Sequence, residues 1–128
     1  MNKQKKRIED SQKIATQIAN LMIDKKALDI QILDVRGLTT LTDFFIICTS
    51  ESQPQSRAIC NHLEDEMLKE GIKPWHREGF EKLDWVLVDF VNIVAQIFSR
   101  ESREYYDFER LWGDAKITKV IDKDTDNK

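Results

Sequence analysis

Four aspartates stand where short apolar segments end, and carboxylates in such places can do chemistry. Asp34, Asp43, Asp84 and Asp89 each lie at or near the end of a predicted strand. Two carboxylates on one face of a sheet can hold Mg²⁺ and orient a phosphate. Such sites commonly read D-x-D, because alternate strand residues point the same way, and no predicted strand has this pattern. The sequence therefore favours structural roles for these aspartates, at strand ends, in turns and as helix caps. A role in metal-assisted nucleotide transfer remains the alternative.

Other motifs of catalysis are missing or weak. The glycines are too far apart for a phosphate-binding loop or a dinucleotide fingerprint; they are Gly37, Gly71, Gly79 and Gly113. No G-x-S-x-G nucleophile elbow occurs. A Ser-His-Asp triad assembled from distant positions stays open, because such a triad has no fixed spacing.

The cysteines and histidines predict no metal site. Cys48 lies in an apolar run and Cys60 in a predicted helix, and neither belongs to a C-x-x-C pair. His62 and His76 are isolated on different elements. Reduced core thiols are the expected state of the cysteines, and no metal or other cofactor is predicted.

Composition places limits on the partner and the compartment. The chain has 128 residues, a formal net charge of −3 and 41% hydrophobic residues, which is enough for one domain. Proteins that neutralise many phosphates usually present a basic surface, so direct nucleic-acid readout is not expected. No segment reaches the roughly 18 apolar residues of a membrane helix, and no apolar stretch follows the basic N-terminus. We expect a cytoplasmic protein without a membrane partner.

Hydrophobic periodicity predicts the elements that must position these residues. Apolar residues at helical spacing favour helices around 10–28, 52–70 and 100–113, and short β-branched or aromatic runs between them favour strands. Ser52 and Gln55 form a capping-box pattern with Pro54 in the first turn, and Gly71 is placed to end that helix. The order is α-β-β-α-β-β-β-α. It predicts a mixed α/β (α+β) domain with one mixed sheet of about five strands and about three helices.

The segment DWVLVDFVNIVAQIF predicts a hairpin with two different faces. Alternation puts Val86, Val88 and Phe90 on one face and Trp85, Leu87 and Asp89 on the other. The first face is wholly apolar and suits the core. The second combines aromatic, aliphatic and acidic side chains, so it is either covered by a helix or available to a partner.

Two longer runs resemble a known family. GLTTLTDFFIICTSESQPQSRAICNHL contains T-D-x-x-I-I-C-T-x-x-S, and the later run joins E-G, a W-V-L-V-D strand and F-x-x-E-x-R-x-x-Y-x-x-E-x-L-W. In combination they resemble the ribosomal silencing factor, or Iojap, family over residues 10–117. Residues 1–9 then form a polar N-terminal segment, and residues 118–128 a polar tail that is expected to be disordered.

The resemblance implies a function without catalysis. Family members bind the large ribosomal subunit through ribosomal protein L-fourteen and sterically block its joining with the small subunit. Translation falls as a result in stationary phase or starvation. The implied fold resembles that of nucleotidyltransferases without their catalytic signature, and a homodimer is a further possibility.

The resemblance also implies site residues. The expected partner contacts are Trp85, Leu87, Asp89, Phe90, Asn92 and Arg103. For Arg103 an ordinary surface ion pair remains open as well. Further positions that match the family motifs are Thr42, Asp43, Glu78, Gly79, Glu101 and Tyr106.

Three positions depart from the family pattern. Val91 stands where a glycine is usual, Asn92 where an aspartate is usual, and Gln96 where a histidine is common. If the turn at Val91 requires a positive φ, a β-branched residue there is strained.

Overall fold

A computed structural model describes the backbone of residues 3–121 and the side chains of residues 11–121. The elements in chain order are α1 Lys3–Asp24, β1 Leu28–Asp34, β2 Phe44–Ser50, α2 Gln53–Lys69, β3 His76–Glu78, β4 Trp85–Asp89, β5 Ile93–Ser99, α3 Arg100–Tyr106, α4 Phe108–Leu111 and β6 Lys116–Val120.

The strands form one mixed sheet in the order β3-β4-β5-β2-β1-β6. The β2–β5 pair is parallel and every other neighbouring pair is antiparallel. The predicted hairpin of β4 and β5 is confirmed. The β2–α2–β3 segment also brings two strands into the same direction, with β4 and β5 between them.

Helices α1 and α2 cover one face of the sheet and build the main core. In α2 the residues Ile59, Leu63 and Met67 recur every four positions and are all buried, because that spacing keeps them on one side of a helix. From the sheet, Val86 and Val88 enter the same core. The predicted assignment of the two faces of β4 is therefore confirmed.

The ends of α2 follow the sequence signals. The Ser52 hydroxyl accepts a hydrogen bond of 3.1 Å from the N–H of Gln55, which satisfies a free donor of the first turn. The Gln55 side chain instead accepts from the N–H of Glu51, so the reciprocal bond lies one residue earlier than in a standard capping box. Gly71 has φ 78°, as a residue just beyond a helix end requires.

The C-terminal region differs from the prediction. The prediction of a single last helix was wrong, because Asp107 has φ 47° and separates α3 from α4. A short polar side chain such as that of aspartate tolerates this left-handed conformation. Tyr105 consequently points to solvent and Phe108 is buried. Leu111 in α4 is exposed.

The predicted domain limits meet secondary structure at both ends. Helix α1 already begins at Lys3, within the segment 1–9. A sixth strand, β6, pairs with β1 and crosses the predicted boundary at residue 117. The predicted tail residues 122–128 lie outside the described residues. None of the helices in the described part of the chain is long and apolar enough to cross a membrane.

Candidate protein-binding site

The second face of the sheet carries a smaller cluster, which α3 and α4 cover only in part. Phe108 packs there with Phe98 and Ile47, and Phe45 and Trp112 adjoin it. The rings of Phe45 and Phe108 meet edge to face at 5.0 Å between centroids, a favoured aromatic geometry. One part of this face beyond the cover lies at β3 and β4.

Five residues define what we call the β4 patch, namely Glu78, Trp85, Leu87, Asp89 and Tyr106. Glu78 is the register partner of Leu87 across β3 and β4, so both point to the same side of the sheet. Trp85 and Asp89 are two residues away from Leu87 in either direction and share that side. The predicted grouping of Trp85, Leu87 and Asp89 on one face of β4 is therefore confirmed.

Trp85 is held on three sides. Its ring stacks on Phe98 at 5.0 Å, lies 4.6 Å from the ring of Tyr106 and meets Phe108 at 6.4 Å. Its Nε1–H donates to Oε1 of Gln96 at 2.8 Å. The side chain remains partly exposed, so the indole is a fixed surface group rather than a mobile one.

Gln96 supports this arrangement from inside the sheet. It is 1% exposed and lies between Leu87 and Ile47 in the strand register. A buried amide needs a partner, and Trp85 supplies one. Glutamine in place of the histidine that is common in the family therefore supplies the acceptor for Trp85. Because Gln96 is buried, a binding partner could not contact it directly.

Asp89 ends β4 and shapes the turn that follows. Its Oδ1 accepts from the N–H of Val91 at 2.7 Å, and its carbonyl oxygen accepts from the N–H of Trp75 at 2.7 Å. Val91 has φ 78°, so the strain expected of a valine in place of glycine is present.

Of the other predicted contact residues, one is buried, one is partly buried and one is bonded through its backbone. Phe90 is 8% exposed and belongs to the main core, so alternation rather than its place at the turn decided its environment. The Arg103 side chain is 10% exposed and donates to Glu109 and Thr49, so Arg103 forms a partly buried ion pair. The carbonyl oxygen of Asn92 accepts from the N–H groups of Asp43 and Phe44.

The family-motif residues lie mostly outside the patch. Thr42 is buried and Asp43 accepts from the hydroxyl of Ser11 at 3.1 Å, so both hold the start of β2. Glu101 is exposed in the first turn of α3. Gly79 has φ 88°, and a Cβ there would lie 2.1 Å from the carbonyl oxygen of Trp85.

Tyr106 is the patch residue whose role the sequence did not indicate. It is 47% exposed and its ring covers one side of Trp85. The motif marked the position, but helical spacing pointed to Tyr105 as the inward residue. Tyr106 is the last residue of α3, directly before the break at Asp107, and Phe108 after the break turns into the cluster.

The aspartates considered for metal chemistry do not form a site. Asp34 accepts two hydrogen bonds from the Arg36 guanidinium, at 2.9 and 2.6 Å, and these bonds lower the pKa of its carboxyl. Asp84 and Asp89 flank opposite ends of β4. Among the described residues no group of three or more His, Cys, Asp or Glu side chains could hold a metal ion.

Cys48 and Cys60 are buried free thiols. Burial raises the pKa of both, that of Cys60 to about 12, so neither is a thiolate nucleophile near neutral pH.

The fold is a mixed-sheet domain, and its candidate site is a rigid aromatic and acidic surface patch. Residues 8–128 match the model of the family described as "Ribosomal silencing factor during starvation". The chain belongs to this ribosomal silencing factor family.

Individual relatives agree with this family membership. The ribosomal silencing factor of Bacillus subtilis is 40% identical over 94 residues, covering 73% of this chain and 80% of the relative. The chloroplastic Iojap protein of Arabidopsis thaliana is 34% identical over 106 residues, covering 83% of this chain and 44% of that protein.

A solved structure from Chromobacterium violaceum superposes with a TM-score of 0.77 at 32% identity, covering 87% of this chain and 92% of that one. A second, from Bacillus halodurans, gives 0.71 at 34% identity, covering 82% and 96%. These matches agree with the mixed α/β fold predicted from the sequence.

Proposed function

We propose that this ribosomal silencing factor binds the large ribosomal subunit through ribosomal protein L-fourteen and sterically blocks joining with the small subunit. Translation in the cytoplasm then falls during stationary phase or starvation. The protein acts by occupying a surface, without a cofactor and without catalysing a reaction. A homodimer, if it uses the same surface, competes with ribosome binding.

The β4 patch is the proposed contact surface. Trp85 and Tyr106 give it two aromatic groups of the kind that dominate interface energies. The observation that carries the proposal is the immobilisation of Trp85 by Phe98, Tyr106 and Gln96 while the indole stays partly exposed. A side chain already fixed in one rotamer loses less conformational entropy when a partner covers it.

The charge of the patch indicates the sign of the partner. Glu78 and Asp89 are carboxylates, and no lysine or arginine of β3 or β4 lies on this side of the sheet. Arg77 points to the opposite side, where it bonds Glu64 of α2 at 2.9 and 3.0 Å. The β4 patch therefore complements a basic protein surface.

Asp89→Asn is the sharpest test of the site. Asparagine keeps an oxygen that can accept from the Val91 N–H, so the turn persists while one negative charge is lost. Affinity for purified protein L-fourteen and for isolated large subunits should fall about fivefold to tenfold, with a weaker salt dependence. Asp84→Asn, an equal charge change at the other end of β4, should leave both unchanged.

Tyr106→Ala tests the aromatic part. Trp85→Ala is less useful, because Trp85 also packs in the second cluster and its loss would disturb the fold. Removing the Tyr106 ring should weaken binding by about 1–2 kcal/mol, whereas Leu111→Ala, on the exposed side of α4, should not. Folded wild-type protein that binds neither L-fourteen nor large subunits would refute the proposed function. Binding that survives Asp89→Asn and Tyr106→Ala would refute the β4 patch alone.

A further inference from the structure

A cavity of about 630 Å³ opens at the start of β1, and no residue of the β4 patch lines it. The residues of a register shift in β1, from Leu28 to Gln31, line this opening. Leu28 pairs with Thr49 and Gln31 with Ile47, so β1 has one more residue than β2 in this interval. Bulges commonly redirect side chains beside binding sites.

Gln31 supplies an acceptor without a donor. Its Oε1 is buried and has no hydrogen-bond partner among the described residues. The residue lies between Ile47 and Lys119 in the strand register and lines the cavity. A buried acceptor left unpaired is unfavourable, and a ligand that donates an N–H would satisfy it.

Charged groups of both signs line the cavity, namely the cations Lys26, Arg103 and Lys119 and the anions Asp29, Glu51 and Glu109. Arg103 lines the cavity and uses two of its five N–H groups on Glu109 and Thr49. Lys119 adds a second cation beside Gln31. Glu51 lines the same cavity and contributes a negatively charged carboxylate.

We propose that this cavity binds a zwitterionic small molecule of the α-amino-acid class. The ammonium group donates to Oε1 of Gln31 and lies near Glu51, while the carboxylate meets Arg103 and Lys119. A plain anion would satisfy the cations but bring no donor to Gln31. A plain cation would satisfy Gln31 but face Lys119. A molecule with both groups suits the mixed wall, and the volume is within the usual range for small-ligand sites.

The test is calorimetric titration of the whole protein with each standard amino acid at millimolar concentration. The comparison set is the matching amines without a carboxylate, the matching acids without an amine, and ATP. At least one amino acid should bind, and its amine and acid analogues should bind at least about tenfold more weakly, since each loses one charged contact.

Variants locate the binding. Gln31→Leu removes the acceptor and should weaken binding by about tenfold or more, whereas Gln12→Leu on the exposed side of α1 should not. Lys119→Met is a second variant at an exposed position, which protects the test if Gln31→Leu fails to fold. The proposal is overturned if no amino acid binds, or if ATP or one analogue binds as tightly as the amino acid does. It is also overturned if both cavity variants bind the amino acid with wild-type affinity.

Discussion

Replacing Val91 by glycine should stabilise this protein. The N–H of Asn92 donates to the carbonyl oxygen of Phe90 at 3.1 Å. With φ 78° at Val91, this bond makes a γ-turn of the rare, strained kind that has a positive central φ. The turn is also tied by the bond from the Phe90 N–H to the Ile93 carbonyl oxygen at 2.8 Å. Valine is thus forced into a conformation that its branched Cβ disfavours.

The size of the effect follows from two opposing contributions. Strain at such a position costs about 1–3 kcal/mol. Glycine removes it, but its freer unfolded chain costs about 0.5–1 kcal/mol. The valine side chain is 53% exposed, so little apolar burial is lost. We expect a net gain of about 1 kcal/mol and a rise in Tm of about 4 °C for a domain of this size.

Urea unfolding followed by circular dichroism measures this change. Val91→Asn should fall between the wild type and the glycine variant, because asparagine tolerates a positive φ better than valine. Val120→Gly is the matched control, since it makes the same substitution in β6 at a position without a positive φ, and it should be destabilising. If Val91→Gly is as destabilising as that control, the turn is not strained and the reasoning is wrong.

Three further predictions concern other parts of the fold. Gly79→Ala should destabilise the protein by about 2–4 kcal/mol in urea unfolding, because its Cβ would meet the backbone carbonyl of the first residue of β4; Gly71→Ala, with a similar φ but open space, should cost only about 1 kcal/mol, and equal costs would contradict the clash. Arg103→Met should cost about 2 kcal/mol by leaving Glu109 partly buried and unpaired, and the double variant with Glu109→Gln should recover part of that loss; strict additivity in this cycle would show that the pair is not coupled. Asp34→Asn should lower the free energy of unfolding by less than about 1 kcal/mol. Because the folded-state pKa of Asp34 is lowered, this contribution is present above the unfolded-state pKa and disappears as pH falls below about 4. A stability difference between wild type and variant that persists in acid would refute the ion-pair origin.

The sequence predicted the parts of the fold that depend on local periodicity. Alternation in β4 assigned Val86 and Val88 to the core and Leu87 to the other side, because the period of a strand is fixed at two. Spacing by four did the same for Ile59 and Leu63 in α2. These patterns need no knowledge of distant contacts, and the structure confirms them.

The errors lie where a distant contact or one backbone angle decided the outcome. Arg103 was expected near the surface, but its partners Thr49 and Glu109 come from β2 and α4. The strand β6 was missed because KITKV is short and largely exposed, and only pairing with β1 stabilises it. The last helix was predicted to continue through Asp107, whose left-handed conformation periodicity cannot detect.

That break also limits how much of the second sheet face a partner can reach. A helix that continued past Tyr106 would carry the residues after it in another direction. With Asp107 at φ 47°, Phe108 enters the cluster beneath while Tyr106 rests against Trp85. The inner half of the face is therefore closed as core, and the outer half remains open with its tryptophan fixed. One aspartate that tolerates a left-handed conformation thus sets the border between core and candidate interface.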